Sequence, residues 1–121
     1  MRIAISIWED KISPVLDTAS KLLIIDKDNP KESSRSEANL IEQDISQRCS
    51  FIGRLDLDVL ICGAVSSQFR EMLKACGINI ISGISGPAED VLDAYLQGTL
   101  PHSGFFMPGC EWNHFDQSSQ P

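Results

Sequence analysis

Short apolar runs separated by turn residues predict five β-strands. The runs occupy residues 2–7, 22–25, 36–41, 59–62 and 79–82. The first and fourth runs are nearly continuous, which is typical of strands that are buried on both faces of a sheet. Between the second and third runs lies Asp28-Asn29-Pro30-Lys31, a cluster that favours a turn. The second and third strands are therefore predicted to form a hairpin at one side of the sheet.

Three further stretches repeat apolar residues at helical spacing. The three stripes are Ile45, Cys49, Ile52 and Leu55; Phe69, Met72, Leu73 and Cys76; and Ala88, Val91, Leu92, Tyr95 and Leu96. Asp44 is placed to cap the first helix, and Gly77 and Gly98 are suited to end the second and third. Pro87 suits the first turn of the third helix.

The order of these elements predicts the fold class. Three strands are followed by helix, strand, helix, strand and helix, which indicates a single-domain α/β fold with a mixed five-stranded sheet and three helices. A chain of 121 residues with 42% apolar residues fits one domain. We expect this domain to span residues 1–110, and the polar, Ser/Gln-rich residues 111–121 to form a flexible tail.

The charge pattern excludes two classes of partner. The chain has ten basic and seventeen acidic residues, and no run of Lys or Arg occurs. Nucleic acids and anionic membrane surfaces both require concentrated positive charge, so neither is expected as a partner. The sequence shows no signal peptide and no apolar stretch near the ~20 residues that span a bilayer. We therefore expect a cytoplasmic protein whose four cysteines are reduced thiols.

Ligands of open α/β sheets collect at the carboxyl ends of the parallel strands. The loops at those ends are predicted to be residues 8–14, 63–67 and 83–87. The candidate ligand-binding residues in these loops are Ser13, Gly63, Ser66, Ser67, Ser85 and Gly86. The last two loops lead into helix N-termini, whose free N–H groups and dipole can hold an anion. Helix capping and tight turns explain the same Ser and Gly residues without a ligand, so both interpretations stay open.

The cysteines differ in their predicted surroundings. Cys49 and Cys76 lie on apolar helix stripes and are expected to be small buried hydrophobes. Cys62 closes a buried strand, so its sulfur lies either in the core or in the ligand crevice. No catalytic constellation of Ser, Cys, His and Asp is supported by spacing, and the loops at the strand ends carry too few acids for two-metal hydrolysis.

The segment Pro101 to Cys110 contains soft metal donors after the last regular element. Cys110 offers a thiolate, Met107 a thioether and His102 an imidazole, which are ligands for soft metals and iron–sulfur units. Alternatively, Phe105-Phe106-Met107 anchors this arm to the core and Cys110 merely follows it. A redox role for the Cys110 thiol is a third interpretation.

Three segments resemble the dinitrogenase iron-molybdenum cofactor-binding family. They are "MRIAISIWEDKISPVLDTASKLLIID", "DVLICGAVSSQFREMLKACGINIISGISGPAEDVLDAYLQGTLP" and "MPGC", which together cover nearly the whole chain up to Cys110. The resemblance implies a ribonuclease H-like α/β fold without nuclease activity and a role in carrying or assembling metal–sulfur cofactors. Many members carry S-P-x-F-G-x-A where this chain has Ser13 to Ala19 as SPVLDTA, which indicates a distinct subgroup.

The resemblance and the residues together predict a non-enzymatic binding or carrier protein for an anionic metal–sulfur cluster, either the iron-molybdenum cofactor or a related iron/molybdenum–sulfur species. Cys62, Cys110 and His102 are the predicted metal ligands, and the loop residues face the charge of the cluster. A cofactor-assembly or recipient protein is the expected partner, and homo-oligomerisation is left open. The alternative is a regulatory or protein-interaction module that uses the same fold, with the aromatic arm as its contact surface.

Overall fold

The sheet combines an antiparallel half and a parallel half. The computed structural model describes residues 1–29, 32–41, 44–100 and 104–107. Its strands are β1 (Arg2–Trp8), β2 (Lys11–Ile12), β3 (Lys21–Asn29), β4 (Glu32–Asn39), β5 (Val59–Ile61) and β6 (Asn79–Ile81). The order across the sheet is β4-β3-β1-β5-β6, with β2 paired to β1. Strands β1, β5 and β6 are parallel, whereas β3 and β4 form the predicted antiparallel hairpin.

All five strands predicted from the sequence are present, but the described residues form a sixth. Strand β2 contains two residues and pairs antiparallel with the end of β1, where Ile7 faces Ile12. The intervening turn contains Glu9 in the left-handed conformation, at φ 59°. The predicted count of five strands was therefore one too low. The additional strand, β2, is too short to produce an apolar run in the sequence.

The three predicted helices are also present: α1 (Ile45–Gly53), α2 (Ser67–Ala75) and α3 (Ala88–Gln97). Asp44 caps α1 as predicted, because its carboxylate accepts a hydrogen bond from the N–H of Ser46 at 2.9 Å. Gly98 ends α3 in the left-handed conformation. Pro87 is the N-cap residue of α3 and not part of its first turn.

Two hydrophobic clusters cover the two faces of the sheet. Alternation along β1 sends Ile3, Ile5 and Ile7 to the face covered by α3, and Ala4 to the face covered by α1 and α2. These residues are buried, as expected for a sheet with helices on both sides. Among the described residues, no helix is long and apolar enough to cross a membrane.

Candidate functional site

Three loops meet at the carboxyl ends of β1, β5 and β6. We call residues 8–14, 63–67 and 83–87 the carboxyl edge. Backbone hydrogen bonds join all three loops: Ile12 N–H donates to Gly86 O at 2.9 Å, Ala64 N–H to Pro14 O at 2.8 Å, and Gly83 N–H to Gly63 O at 2.8 Å. The sequence prediction that these loops share one edge is confirmed. Their mutual bonds make the edge a connected platform.

Gly63 allows two of these loops to approach each other closely. A Cβ atom built on Gly63 would lie 2.5 Å from both Ser13 O and Pro14 O. These two carbonyl oxygens belong to backbone that the contacts between the loops hold in place. They cannot move away from an added methyl group as a flexible side chain could. Ser13 itself is buried, and its N–H donates to Ser6 O at 2.9 Å. Ser13 and Gly63 thus lie together inside the platform.

Ser66 caps α2 and is held by a carboxylate. Its hydroxyl accepts a hydrogen bond from Phe69 N–H at 3.3 Å, as the capping interpretation predicts. The Ser66 N–H and O–H both donate to the Asp17 carboxylate, at 2.9 and 2.6 Å. The predicted anion donors of Ser66 are therefore engaged within the protein. The N–H groups of Ser67 and Gln68, in the first turn of α2, have no intrahelical acceptor.

The loop before α3 has a different role from the one before α2. Ser85 is not a helix cap, contrary to the capping interpretation, because Pro87 occupies that position without a side-chain hydrogen bond. The first turn of α3 carries Glu89 and Asp90, which complement the helix dipole. Glu89 also pairs with Arg35 of β4. An anion at this loop would therefore rely on the loop backbone and not on the α3 terminus.

Residues 104–107 form a C-terminal arm that docks on this third loop. Ser85 N–H donates to Phe105 O at 2.6 Å, and Met107 N–H donates to Gly83 O at 2.7 Å. The ring of Phe105 lies over Gly86, where a Cβ atom would come within 2.9 Å of its Cδ1 atom. Phe105 and Phe106 are partly buried against the hydrophobic cluster on the α3 face. The interpretation of the aromatic residues as an anchor on the core is confirmed.

Two of the predicted metal ligands, His102 and Cys110, lie outside the described residues. The third, Cys62, is fully buried in the cluster on the α1 and α2 face. Burial raises the pKa of the Cys62 thiol to about 12, with a smaller lowering by the charge of Arg70 and a raising by that of Asp17. Of the two positions predicted for its sulfur, the structure shows the core. A ligand role for Cys62 would require loss of its proton and opening of the loops above it.

Polar side chains that the sequence analysis did not single out lie beneath this edge. Ser6 is fully buried on β1, and its hydroxyl has no hydrogen-bond partner among the described residues. The β1–β5 register pairs Ile5 with Ile61, so Ser6 and Cys62 are the next positions along the two strands. Arg70, four residues after the Ser66 cap, has a buried Nε that is likewise unpartnered in the described part of the chain. The spacing of four residues between Ser66 and Arg70, about one helical turn, was the signal by which the sequence could have placed Arg70 on the same side of α2 as the cap.

The described residues do not by themselves complete a metal site. Within residues 1–29, 32–41, 44–100 and 104–107, no three His, Cys, Asp or Glu side chains are grouped closely enough to hold a metal ion.

Comparison with solved structures shows the fold to be shared. The protein PH0822 superposes with a TM-score of 0.73 at 18% identity, covering 81% of this chain and 90% of that one. The apo form of the orange protein from Desulfovibrio gigas gives a TM-score of 0.68 at 16% identity, with 87% and 94% covered. A proposed dinitrogenase from Methanocaldococcus jannaschii gives 0.63 at 23% identity, with 82% and 90% covered.

Comparison of sequences gives the family. A search of curated protein sequences found no significant match. The sequence model described as "Dinitrogenase iron-molybdenum cofactor" matches residues 1–98, which include every strand and helix described above. The resemblance to this family is thereby confirmed over residues 1–98, whereas the segment "MPGC" lies outside the match and the subgroup stays a prediction. The chain belongs to the dinitrogenase iron-molybdenum cofactor family.

Proposed function

We propose that this protein is a non-enzymatic carrier that binds an anionic metal–sulfur cluster at its carboxyl edge. The cluster is the iron-molybdenum cofactor or a related iron/molybdenum–sulfur species. Family membership supports the class of ligand. The solved structure of the orange protein has the same fold and is described as an apo form. This description supports the idea that the fold can hold a group that is removable.

The docking of the C-terminal arm is the observation that carries the proposal. The bond from Met107 N–H to Gly83 O fixes the arm beside the third loop of the edge. Cys110 follows Met107 by three positions. Three residues span at most roughly 11 Å from Cα to Cα, so the sequence position of Cys110 allows its thiol to reach the strand ends from this anchor. We propose this thiol as a soft ligand of the cluster.

The edge supplies local donors for a negative charge, which a protein of net charge −7 needs. The N–H groups of Ser67 and Gln68 lie at the positive end of the α2 dipole. Arg70 adds a cation one turn further along the same helix, and its charge partly offsets the rise that burial causes in the pKa of Cys62. The other predicted residues, Ser13, Gly63, Ser66, Ser85 and Gly86, shape the loops of the edge, and the N–H groups of Ser13, Ser66 and Ser85 are bonded within the protein.

The proposed metal ligands differ in what binding requires of them. Cys110 and His102 flank residues 104–107 in the sequence and lie outside the buried strands of the sheet. Cys62 is a ligand only if the metal displaces its proton, because a coordinated thiol is deprotonated. We therefore expect Cys110 to contribute more to cluster affinity than Cys62.

A carrier must also contact the protein that supplies or receives the cluster. Trp8 is 58% exposed and Val15 is 38% exposed, and both lie beside the carboxyl edge. Exposed apolar residues next to a ligand site are suited to contact such a partner. The same surface favours the second candidate function, an interaction module that binds a protein partner without a cofactor.

Anaerobic reconstitution tests the carrier function. The full chain is incubated with iron, sulfide and molybdate, desalted, and examined for metal content and visible absorption. We expect the wild type and the control Cys76→Ser to acquire charge-transfer bands, and Cys110→Ser to lose at least about 90% of the bound metal, equivalent to roughly 1.4 kcal/mol or more of affinity. A wild type without bands, or a Cys110→Ser variant that loads fully, would contradict the proposal. Loss of loading in Cys62→Ala, in a variant that stays folded, would establish Cys62 as a second ligand.

A further inference from the structure

A pair of thiols lies between α1 and α2, apart from the carboxyl edge. Cys49 of α1 is buried, and Cys76 at the C-terminus of α2 is exposed. Their Sγ atoms are 3.9 Å apart. The prediction that both are buried hydrophobes was therefore correct for Cys49 and wrong for Cys76. The nine residues of α2 place Cys76 roughly 15 Å from the Ser66 cap, so the pair is separate from the proposed cluster site.

The thiol of Cys76 is directed onto α1. A Cβ atom built on Gly53 would lie 3.4 Å from Cys76 Sγ, and Gly53 is one turn after Cys49 on the same helix. The absence of a side chain at Gly53 leaves the sulfur room against the helix. Cys76 is thus reachable from solvent while its sulfur faces a second thiol.

We infer that Cys49 and Cys76 form a covalent modification site that closes to an intramolecular disulfide, with a low-molecular-weight disulfide such as glutathione disulfide as the oxidant. The sulfurs must approach from 3.9 Å to about 2.05 Å, the length of a disulfide bond. The helices that carry them already pack against each other in one hydrophobic cluster.

The reaction proceeds in two exchanges. The Cys76 thiol loses its proton to water and attacks one sulfur of glutathione disulfide, breaking that S–S bond and releasing one glutathione thiolate. Cys49 then loses its proton and attacks Cys76 Sγ, forming the protein disulfide and releasing the second glutathione. Two protein thiols are oxidised to one disulfide, and glutathione disulfide is reduced to two glutathione molecules.

The surroundings of the two thiols determine their order of reaction. Burial raises the pKa of Cys49, and the neighbouring Cys76 thiol raises it further. The exposed Cys76 therefore attacks first, and Cys49 resolves the mixed disulfide. Because Cys49 is buried and its pKa is raised, we expect the second exchange to be slow. The test accordingly measures the equilibrium products.

The full chain is equilibrated in buffers of increasing glutathione disulfide to glutathione ratio, quenched in acid and alkylated for peptide mass spectrometry. We expect Cys49 and Cys76 to lose alkylation together and to appear in one linked peptide that dithiothreitol separates. Cys110→Ser should behave in the same way, whereas Cys76→Ser should form no link at Cys49. The oxidised wild type should melt about 5–15 °C above the reduced form.

Two outcomes would overturn this inference. One is accumulation of a glutathione adduct at Cys76 while Cys49 remains fully alkylated. The other is a disulfide between Cys76 and a cysteine other than Cys49. Both results are obtained with the wild-type chain, so they do not depend on whether a variant folds.

Discussion

At the scale of single residues, Gly63 is the position at which two loops of the carboxyl edge approach each other most closely. In Gly63→Ala the new methyl would lie 2.5 Å from two carbonyl oxygens whose loops are fixed by further hydrogen bonds. We expect the free energy of unfolding to fall by about 3 kcal/mol, measured by urea denaturation. The control is Gly77→Ala, which has φ +86° but no atom within 4 Å of the new methyl. It carries only the left-handed strain of about 1 kcal/mol. Equal losses in the two variants would show that the loops separate freely.

The spacing of apolar residues predicted which side chains are buried better than it predicted which residues contact each other. The stripe of the first helix correctly placed Cys49 in the core, whereas the stripe of the second helix included Cys76, which lies at the end of α2 and is exposed. Asp17 was visible as an acid near a strand end, but no local pattern shows that its carboxylate binds Ser66, 49 positions away. Contacts of this kind depend on how the loops meet in three dimensions.

At the scale of elements, Asp17 joins the short 3-10 turn at Leu16–Thr18 to the start of α2. In Asp17→Ala the N–H and O–H of Ser66 lose a charged acceptor, so we expect unfolding to require about 2 kcal/mol less. Thr18→Ala is the matched control, because Thr18 is exposed in the same turn. Thermal and urea unfolding of both variants measure the difference. A loss in Asp17→Ala no larger than that in Thr18→Ala would mean that this link does not stabilise the helix.

The regular elements were predictable because each has a strong periodic signal. The parallel strands and the three helices bury continuous runs or stripes, and their order restricts the topology to few choices. Strand β2 escaped prediction because its two residues are set by the turn at Glu9 and by pairing with β1. The end of α3 followed from Gly98, whose left-handed conformation stops the helix.

At the scale of the whole molecule, the sequence predicted the meeting of three loops at one sheet edge and the family of the chain. The carboxyl edge follows from the strand order, and the family follows from the segments quoted above. The ribonuclease H-like label, the domain end at residue 110 and the roles of His102 and Cys110 stay predictions. Two of the three predicted metal ligands lie in the segment after α3, which has no periodicity from which their positions can be derived.

The C-terminal arm gives the sharpest test of how the molecule is organised. Phe105 and Phe106 are partly buried against the same hydrophobic cluster as the fully covered Ile84. In a Phe105→Ala/Phe106→Ala variant we expect the free energy of unfolding to fall by about 3 kcal/mol, roughly half of the cost of removing two fully buried rings. Leu96→Ala, at a residue 40% exposed on α3, should cost less than about 1 kcal/mol.

Urea denaturation and cluster loading of the Phe105→Ala/Phe106→Ala variant distinguish the carrier function from the interaction-module function. If the arm anchors a cluster ligand, the double variant should lose both stability and metal, because Met107, three positions before Cys110, is no longer held at Gly83. If the arm is instead a contact surface for a protein partner, the double variant should unfold at the same urea concentration as Leu96→Ala. Partial burial of both rings and the backbone bonds from Ser85 and to Gly83 favour the first result.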